Sequence, residues 1–154
     1  MIGVDRRDLL ADRSRPYAGF NYLVSIDDVE VAGFSEVSGL DFEIEAIEYR
    51  DGADVEPRVR KVPGLRKYGN ITLKRGITGQ NAFWAWVLEA LEGPVSRRNG
   101  TISLLDEARQ AVVMWHFTDG WPCKYRGPDL NAAASEIAIE SVEICHEGLR
   151  LTYG

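Results

Sequence analysis

Leu40, Phe42, Ile44 and Ala46 alternate with Asp41, Glu43 and Glu45. A period of two suits a strand, whose successive side chains leave opposite faces, and cannot hold one face of a helix. The segment therefore predicts a strand with one apolar and one acidic face. The same period runs through Phe20, Tyr22, Val24 and Ile26, followed by a turn at Asp27-Asp28 and a second strand over residues 29–37. Ser38-Gly39 breaks this hairpin before the acidic strand begins.

Residues 47–68 lose the period and carry Asp51-Gly52, Pro57 and Pro63-Gly64, so they read as one long connection. Connections of that length are usually functional or disordered. Strand character returns over residues 70–75. Residues 80–92 give the one helical pattern, with Phe83, Trp86, Val87, Ala90 and Leu91 spaced by three and four and a stop at Gly93-Pro94. Further strands are predicted over residues 101–105, 111–117 and 122–126, then a turn or short helical piece over residues 129–134. A last strand spans residues 136–146, where Ile137 and Ile139 fall out of phase with Val142 and Ile144, predicting a bulge near Ser141. Many strands and one helix make a mainly β fold, a barrel or sandwich with the helix packed on it.

A chain of 154 residues suits one domain, here residues 17–154. Residues 1–16 are dense in Asp and Arg, with Leu9, Leu10 and Ala11 as the apolar exception, and read as an arm: a frayed terminus or a segment that orders against a neighbour. The net charge of -6 argues against non-specific nucleic-acid binding, which rewards an excess of Lys and Arg. No apolar run approaches the roughly 20 residues that span a bilayer, and the first residues lack the apolar core of a secretory signal. Synthesis in the cytoplasm, with no membrane insertion of the chain, is the expectation.

Chemistry has no evident seat. Cys123 and Cys145 lack CxxC spacing and read as reduced, half-buried packing residues, with a disulfide between them left open. His116 and His146 lie in strands without a nucleophile at motif spacing, and there is no GxSxG, HExxH or phosphate-loop pattern. No catalytic residue, metal or cofactor is expected. A small ligand-binding barrel or hydrolase would have to use Trp115, His116 and Trp121, which no polar constellation accompanies.

Charge is more informative. Asp41, Glu43, Glu45, Glu48, Asp51, Asp54 and Glu56 precede Arg58, Arg60, Lys61, Arg66, Lys67, Lys74 and Arg75. Two readings stand: a hairpin whose arms pair with each other, or identical units stacked with the acidic side of one on the basic side of the next.

Several blocks then occur in a specific order: Phe34-Ser-Glu-Val-Ser-Gly-Leu40, the Pro63-Gly64 loop, Ile71-Thr-Leu-Lys-Arg-Gly-Ile77, the Trp-rich helix, Ile102-Ser-Leu-Leu-Asp-Glu107, the Trp115 strand, Trp121-Pro-Cys-Lys-Tyr-Arg-Gly-Pro-Asp-Leu-Asn131 and Ala138-Ile-Glu-Ser-Val-Glu-Ile-Cys-His-Glu-Gly-Leu149. From about Tyr17 onward the chain resembles the tail tube proteins of contractile bacteriophages and phage-tail-like contractile injection systems, related in fold to the type VI secretion tube protein. The resemblance implies two orthogonally packed antiparallel sheets forming a small barrel with one flanking helix. It implies six-membered rings stacked into a hollow conduit for DNA or effector cargo, or a baseplate-proximal initiator or adaptor ring of the same fold. Its partners would be further copies of the chain, a sheath protein, baseplate and tube-terminator or cap proteins, and a tape-measure protein in the lumen. The loop at about residues 47–68 would reach the adjacent ring, making Glu48, Asp51, Asp54, Glu56, Arg58, Arg60, Lys61, Arg66 and Lys67 the candidate inter-ring residues.

Overall fold

The structure, a computed structural model, describes residues 17–19, 21–31, 34–53, 55–77 and 82–154. The expected arm at residues 1–16, Phe20 and the start of the expected helix lie outside the described residues. Strands β1 (Tyr22–Ile26) and β2 (Val29–Val31) form a hairpin. Asp27 and Asp28, both at positive φ, make the two-residue turn whose twist matches that of the strands. There follow β3 (Phe34–Ser38), β4 (Phe42–Tyr49), β5 (Arg60–Tyr68), β6 (Ile71–Gly76), helix α1 (Ala82–Glu92), β7 (Arg98–Leu105), β8 (Ala111–Arg126), β9 (Ile139–Cys145) and β10 (Gly148–Tyr153).

All pairings are antiparallel. One path of neighbours runs β2-β1-β7-β8-β9-β6-β3, with β10 also on β8, while β4 and β5 make a separate two-stranded sheet. The two expected strands at residues 111–117 and 122–126 are one 16-residue strand. Its first half pairs with β7 and β10, and its second half with β9. It changes partners around Asp119, at positive φ, where β8 carries one residue more than β7 between the pairs Gly100–Phe117 and Arg98–Gly120. Such a bulge bends a strand and lets it serve two sheets.

Three expectations are corrected here. The sheets do not close into a barrel: among the described residues pairing ends at β2 and β3, and the gap is crossed by a side chain, Tyr22 Oη donating to the Phe34 carbonyl at 3.0 Å. The bulge lies on β8 at Cys123 rather than near Ser141. β9 keeps regular register with β6, so Ile139 simply takes the outer face while Val142 and Ile144 are buried. Pro122, which cannot donate to a ladder, sits at that irregularity. Leu91 is 76% exposed rather than buried. It lies roughly 80° around the helix from Phe83, beside Trp84 and off the stripe of Phe83, Trp86 and Val87.

That stripe meets Val24, Ile26, Ile71, Leu73, Ile102, Phe117, Val142 and Ile144 in one core. The Phe83 ring stands edge-on to Phe34 and to Trp86. Trp86 Nε1 donates to the Ser96 carbonyl at 3.0 Å, and the Arg98 guanidinium lies over the Trp86 ring, tying the helix to β7. Arg75 is the one buried charged side chain among the described residues. Its Nε meets Glu140 Oε1 at 2.7 Å, its guanidinium lies against Phe34 and Phe83, and Tyr125 Oη donates to the second Glu140 oxygen at 2.7 Å. That bond, more than burial, raises the Tyr125 phenol above its ordinary value. Among the described residues no helix is long and apolar enough to cross a membrane.

Gly100 and Gly120 flank the Phe117 ring, which occupies the space a Cβ at either would need. Gly100→Ala should force the ring to shift and destabilise the protein by about 1–3 kcal/mol, read as a lower urea midpoint at unchanged slope.

Candidate assembly surface

Residues expected to form an aperiodic loop are largely a hairpin. Residues 60–68 are strand β5, and the connection shrinks to residues 50–59. The sequence hides β5 because Pro63 and Gly64 fall inside it. Between the pairs Ile44–Arg66 and Ala46–Pro63 this strand carries one residue more than β4, and that bulge accommodates both. A Cβ at Gly64 would meet the Ile47 side chain at 2.8 Å.

The register opposes Glu43 with Lys67 and Glu48 with Lys61, so the arms of the sequential charge dipole face each other. Arg60 stands opposite Tyr49, and Arg66 opposite Ile44. At the distal end Glu56 and Arg58 form an exposed ion pair at 3.2 Å, and the Asp51 carboxylate accepts from the Ala53 amide. The described candidates Glu48, Asp51, Glu56, Arg58, Arg60, Lys61, Arg66 and Lys67 thus share one hairpin; Asp54 lies outside the described residues.

Sequence reading missed the hairpin's apolar content. Every residue of β4 is exposed, including Phe42, Ile44, Ile47 and Tyr49, and across from them so are Val62 and, at 70%, Leu65. The signal was the alternation of β4 itself, which assigned an apolar face without saying what covers it. By alternation Phe42, Ile44 and Ala46 share one face with Tyr68 and Pro63, whereas Ile47, Tyr49 and Val62 share the other. The apolar side changes face halfway along.

The base of the hairpin is anchored. The Gly69 amide donates to the Asp41 carbonyl at 3.2 Å. His146 reaches the Gly69 carbonyl through Nε2 at 2.9 Å and the Gly148 carbonyl through Nδ1 at 3.0 Å. Its ring lies between Phe117 in the core and Tyr68, which in turn neighbours Phe42. The other histidine, His116, bridges Thr101 and Thr152 on the flanking strands at 3.0 and 2.8 Å. Both histidines hold structure together.

An open groove of about 460 Å³ lies between β3 and the face of β1, β7 and β8, lined by Tyr22, Phe34, Val37, Leu40, Ile102 and Trp115. His116 and Trp121 do not line it, so the three residues a small-ligand site would require do not converge there. Among the described residues no group of three or more His, Cys, Asp or Glu could hold a metal ion.

No curated protein matches the chain. Solved structures do. The anti-feeding prophage cap, a tube-terminating cap, is 28% identical with a TM-score of 0.82, covering 100% of this chain and 96% of its own. The sheath-tube complex of an extracellular contractile injection system, PVC, in its extended state is similar at 24% identity and a TM-score of 0.83, covering 99% of this chain and 100% of its own. Hcp1 from Flavobacterium johnsoniae shares the fold at 13% identity and a TM-score of 0.54, covering 88% of this chain and 97% of its own. The family model described as T4-like virus tail tube protein gp19 matches residues 18–150, and the chain belongs to that tail tube family, which is structural and not enzymatic.

Proposed function

We propose that the chain is the subunit of the inner tube of a contractile tail or injection particle, assembling into hexameric rings that stack into a conduit. The observation that carries this reading is the β4–β5 hairpin. An isolated two-stranded hairpin is marginal in water, yet this one exposes apolar side chains on both faces while its base is fastened to the core through His146. Such an element is built to be covered by another copy. A head-to-tail contact of this kind does not close on itself, and repeated it extends a tube.

The strand edges at β2, β3 and β10 support lateral joints, because an unpaired edge is a template for another strand. The tube would work mechanically: a contracting sheath drives it through a target envelope, and many modest contacts per ring supply stiffness. Sheath, baseplate and terminator proteins are the partners this role requires, with a tape-measure protein, DNA or effector protein as lumen content. A second reading, a tube-terminating or baseplate-proximal ring, is favoured by the 28% identity to the anti-feeding prophage cap across the full chain.

Negative-stain electron microscopy of the concentrated protein should show six-fold rings or hollow tubes. Rings that never stack would favour the terminator or adaptor reading, and a monomer at every concentration, absent also from any tail-like particle, would defeat both.

The charged hairpin supplies orientation and register in this reading. Reversing Arg58, Arg60 and Lys61 together to Glu should leave the circular dichroism spectrum unchanged and stop tube growth. Intact tubes from the folded variant would remove the charge-stacking idea alone.

His146→Ala removes two contacts to carbonyls and should lower stability by about 1–3 kcal/mol. Hydrogen exchange should accelerate at the Gly69 amide and along β5 while β7 stays protected; uniform acceleration would mean that His146 supports the whole core rather than the hairpin.

A further inference from the structure

Glu143 and Cys145 stand two apart on β9, whose register with β6 is unbroken, so their side chains leave the same face, opposite the buried Val142 and Ile144. On β8, Pro122 lies opposite Ile144 and Lys124 opposite Glu143, which leaves Cys123 as the extra residue of a bulge. The Cys123 thiol donates to the Glu143 carbonyl at 3.4 Å. Asn70 Nδ2 reaches Glu143 Oε1 at 2.9 Å and Cys123 Sγ at 3.9 Å. These contacts put the Cys123 thiol on the Glu143 face, and so on the face of Cys145, whose direct cross-strand neighbour is Trp121. Both cysteines are free and half-buried. In a regular pair such diagonal neighbours stand about 7–8 Å apart, at or beyond the roughly 4.4–6.8 Å Cα separation that a disulfide requires. The extra residue of the bulge shortens the offset along the strand, and the Cys145 thiol is a direct neighbour of the Cys123 thiol.

We propose that Cys123 and Cys145 form a cross-strand dithiol, a covalent modification site that takes small-molecule disulfides and closes into a bond stapling β8 to β9. Burial first, then the neighbouring Cys145 thiol and Glu143, push the Cys123 thiol up to about 12. The Cys123 proton is engaged by the Glu143 carbonyl, so Cys123 is assigned as the resolving thiol and the first attack falls to Cys145. The Cys145 sulfur loses its proton to solvent and bonds to one sulfur of the reagent; the reagent's S–S bond breaks and its other half leaves as a thiolate that takes up a proton. Cys123 then releases its proton and attacks the Cys145 sulfur, expelling the second half of the reagent as a thiol. Two protein thiols lose two electrons, and one disulfide becomes two thiols.

The test incubates the folded full-length chain with oxidised glutathione, blocks remaining thiols, and combines intact mass with peptide mapping. The expected product has lost two hydrogens, links the Cys123 and Cys145 peptides, and unfolds at a higher urea midpoint that dithiothreitol reverses. Cys123→Ser should accumulate a mixed disulfide at Cys145, whereas Cys145→Ser should stay reduced. Separate glutathione adducts on both cysteines, chain-to-chain dimers, or thiols that react only after unfolding in urea would each overturn the proposal.

Discussion

The bend in β8 is the constraint on which the rest depends. A single strand pairs with β7 and β10 along its first half and with β9 along its second, so both sheets hang from one backbone. The bend works because Phe117, just before it, packs into space left free by Gly100 and Gly120. Larger residues at either glycine would compete with that ring, and the core formed by Phe117, Ile102, Leu73 and Ile144 would lose its centre.

Around this hinge, polar groups are kept where they can be satisfied. Arg75 and Glu140 sit on neighbouring strands beneath the helix, where a buried charge without its partner would cost several kcal/mol. The guanidinium also lies against Phe34 and Phe83, and so contributes to fastening α1 and the edge strand β3. Among the described residues no buried side-chain nitrogen or oxygen lacks a hydrogen-bond partner. The buried polar side chains are therefore satisfied within the chain, whereas the hairpin leaves apolar side chains exposed.

Legibility in the sequence followed the same division. Strands with one buried face, such as β1 and β6, announce themselves by alternation, and the buried helical stripe of Phe83, Trp86 and Val87 does so by its spacing. β8 was read as two strands because Gly120 and Pro122 are punctuation in most contexts, and only the partner strands reveal that here they mark a bend and a bulge. β10 carries its own period in Leu149, Leu151 and Tyr153, a strand that the sequence reading does not place. β5 was hidden by Pro63 and Gly64, and with it the pairing that sets Lys67 against Glu43 and Lys61 against Glu48. Sequence could bring the charged residues under suspicion, but not show that they share a ribbon with uncovered Phe42, Ile44 and Leu65.

The one-residue bulge in β5 has a mechanical meaning. The apolar stripe of β4 changes side between Ala46 and Ile47, and the bulge carries Val62 to the face of Ile47, so the base and the distal half of the hairpin expose apolar side chains on opposite sides. In a tube of identical subunits a ribbon of this kind can be held between two neighbours at once, the base against one and the far half against the other. In the proposed tube, a wall laced in this way would resist torsion as well as bending, because rotation of one ring against the next would have to open two seams together.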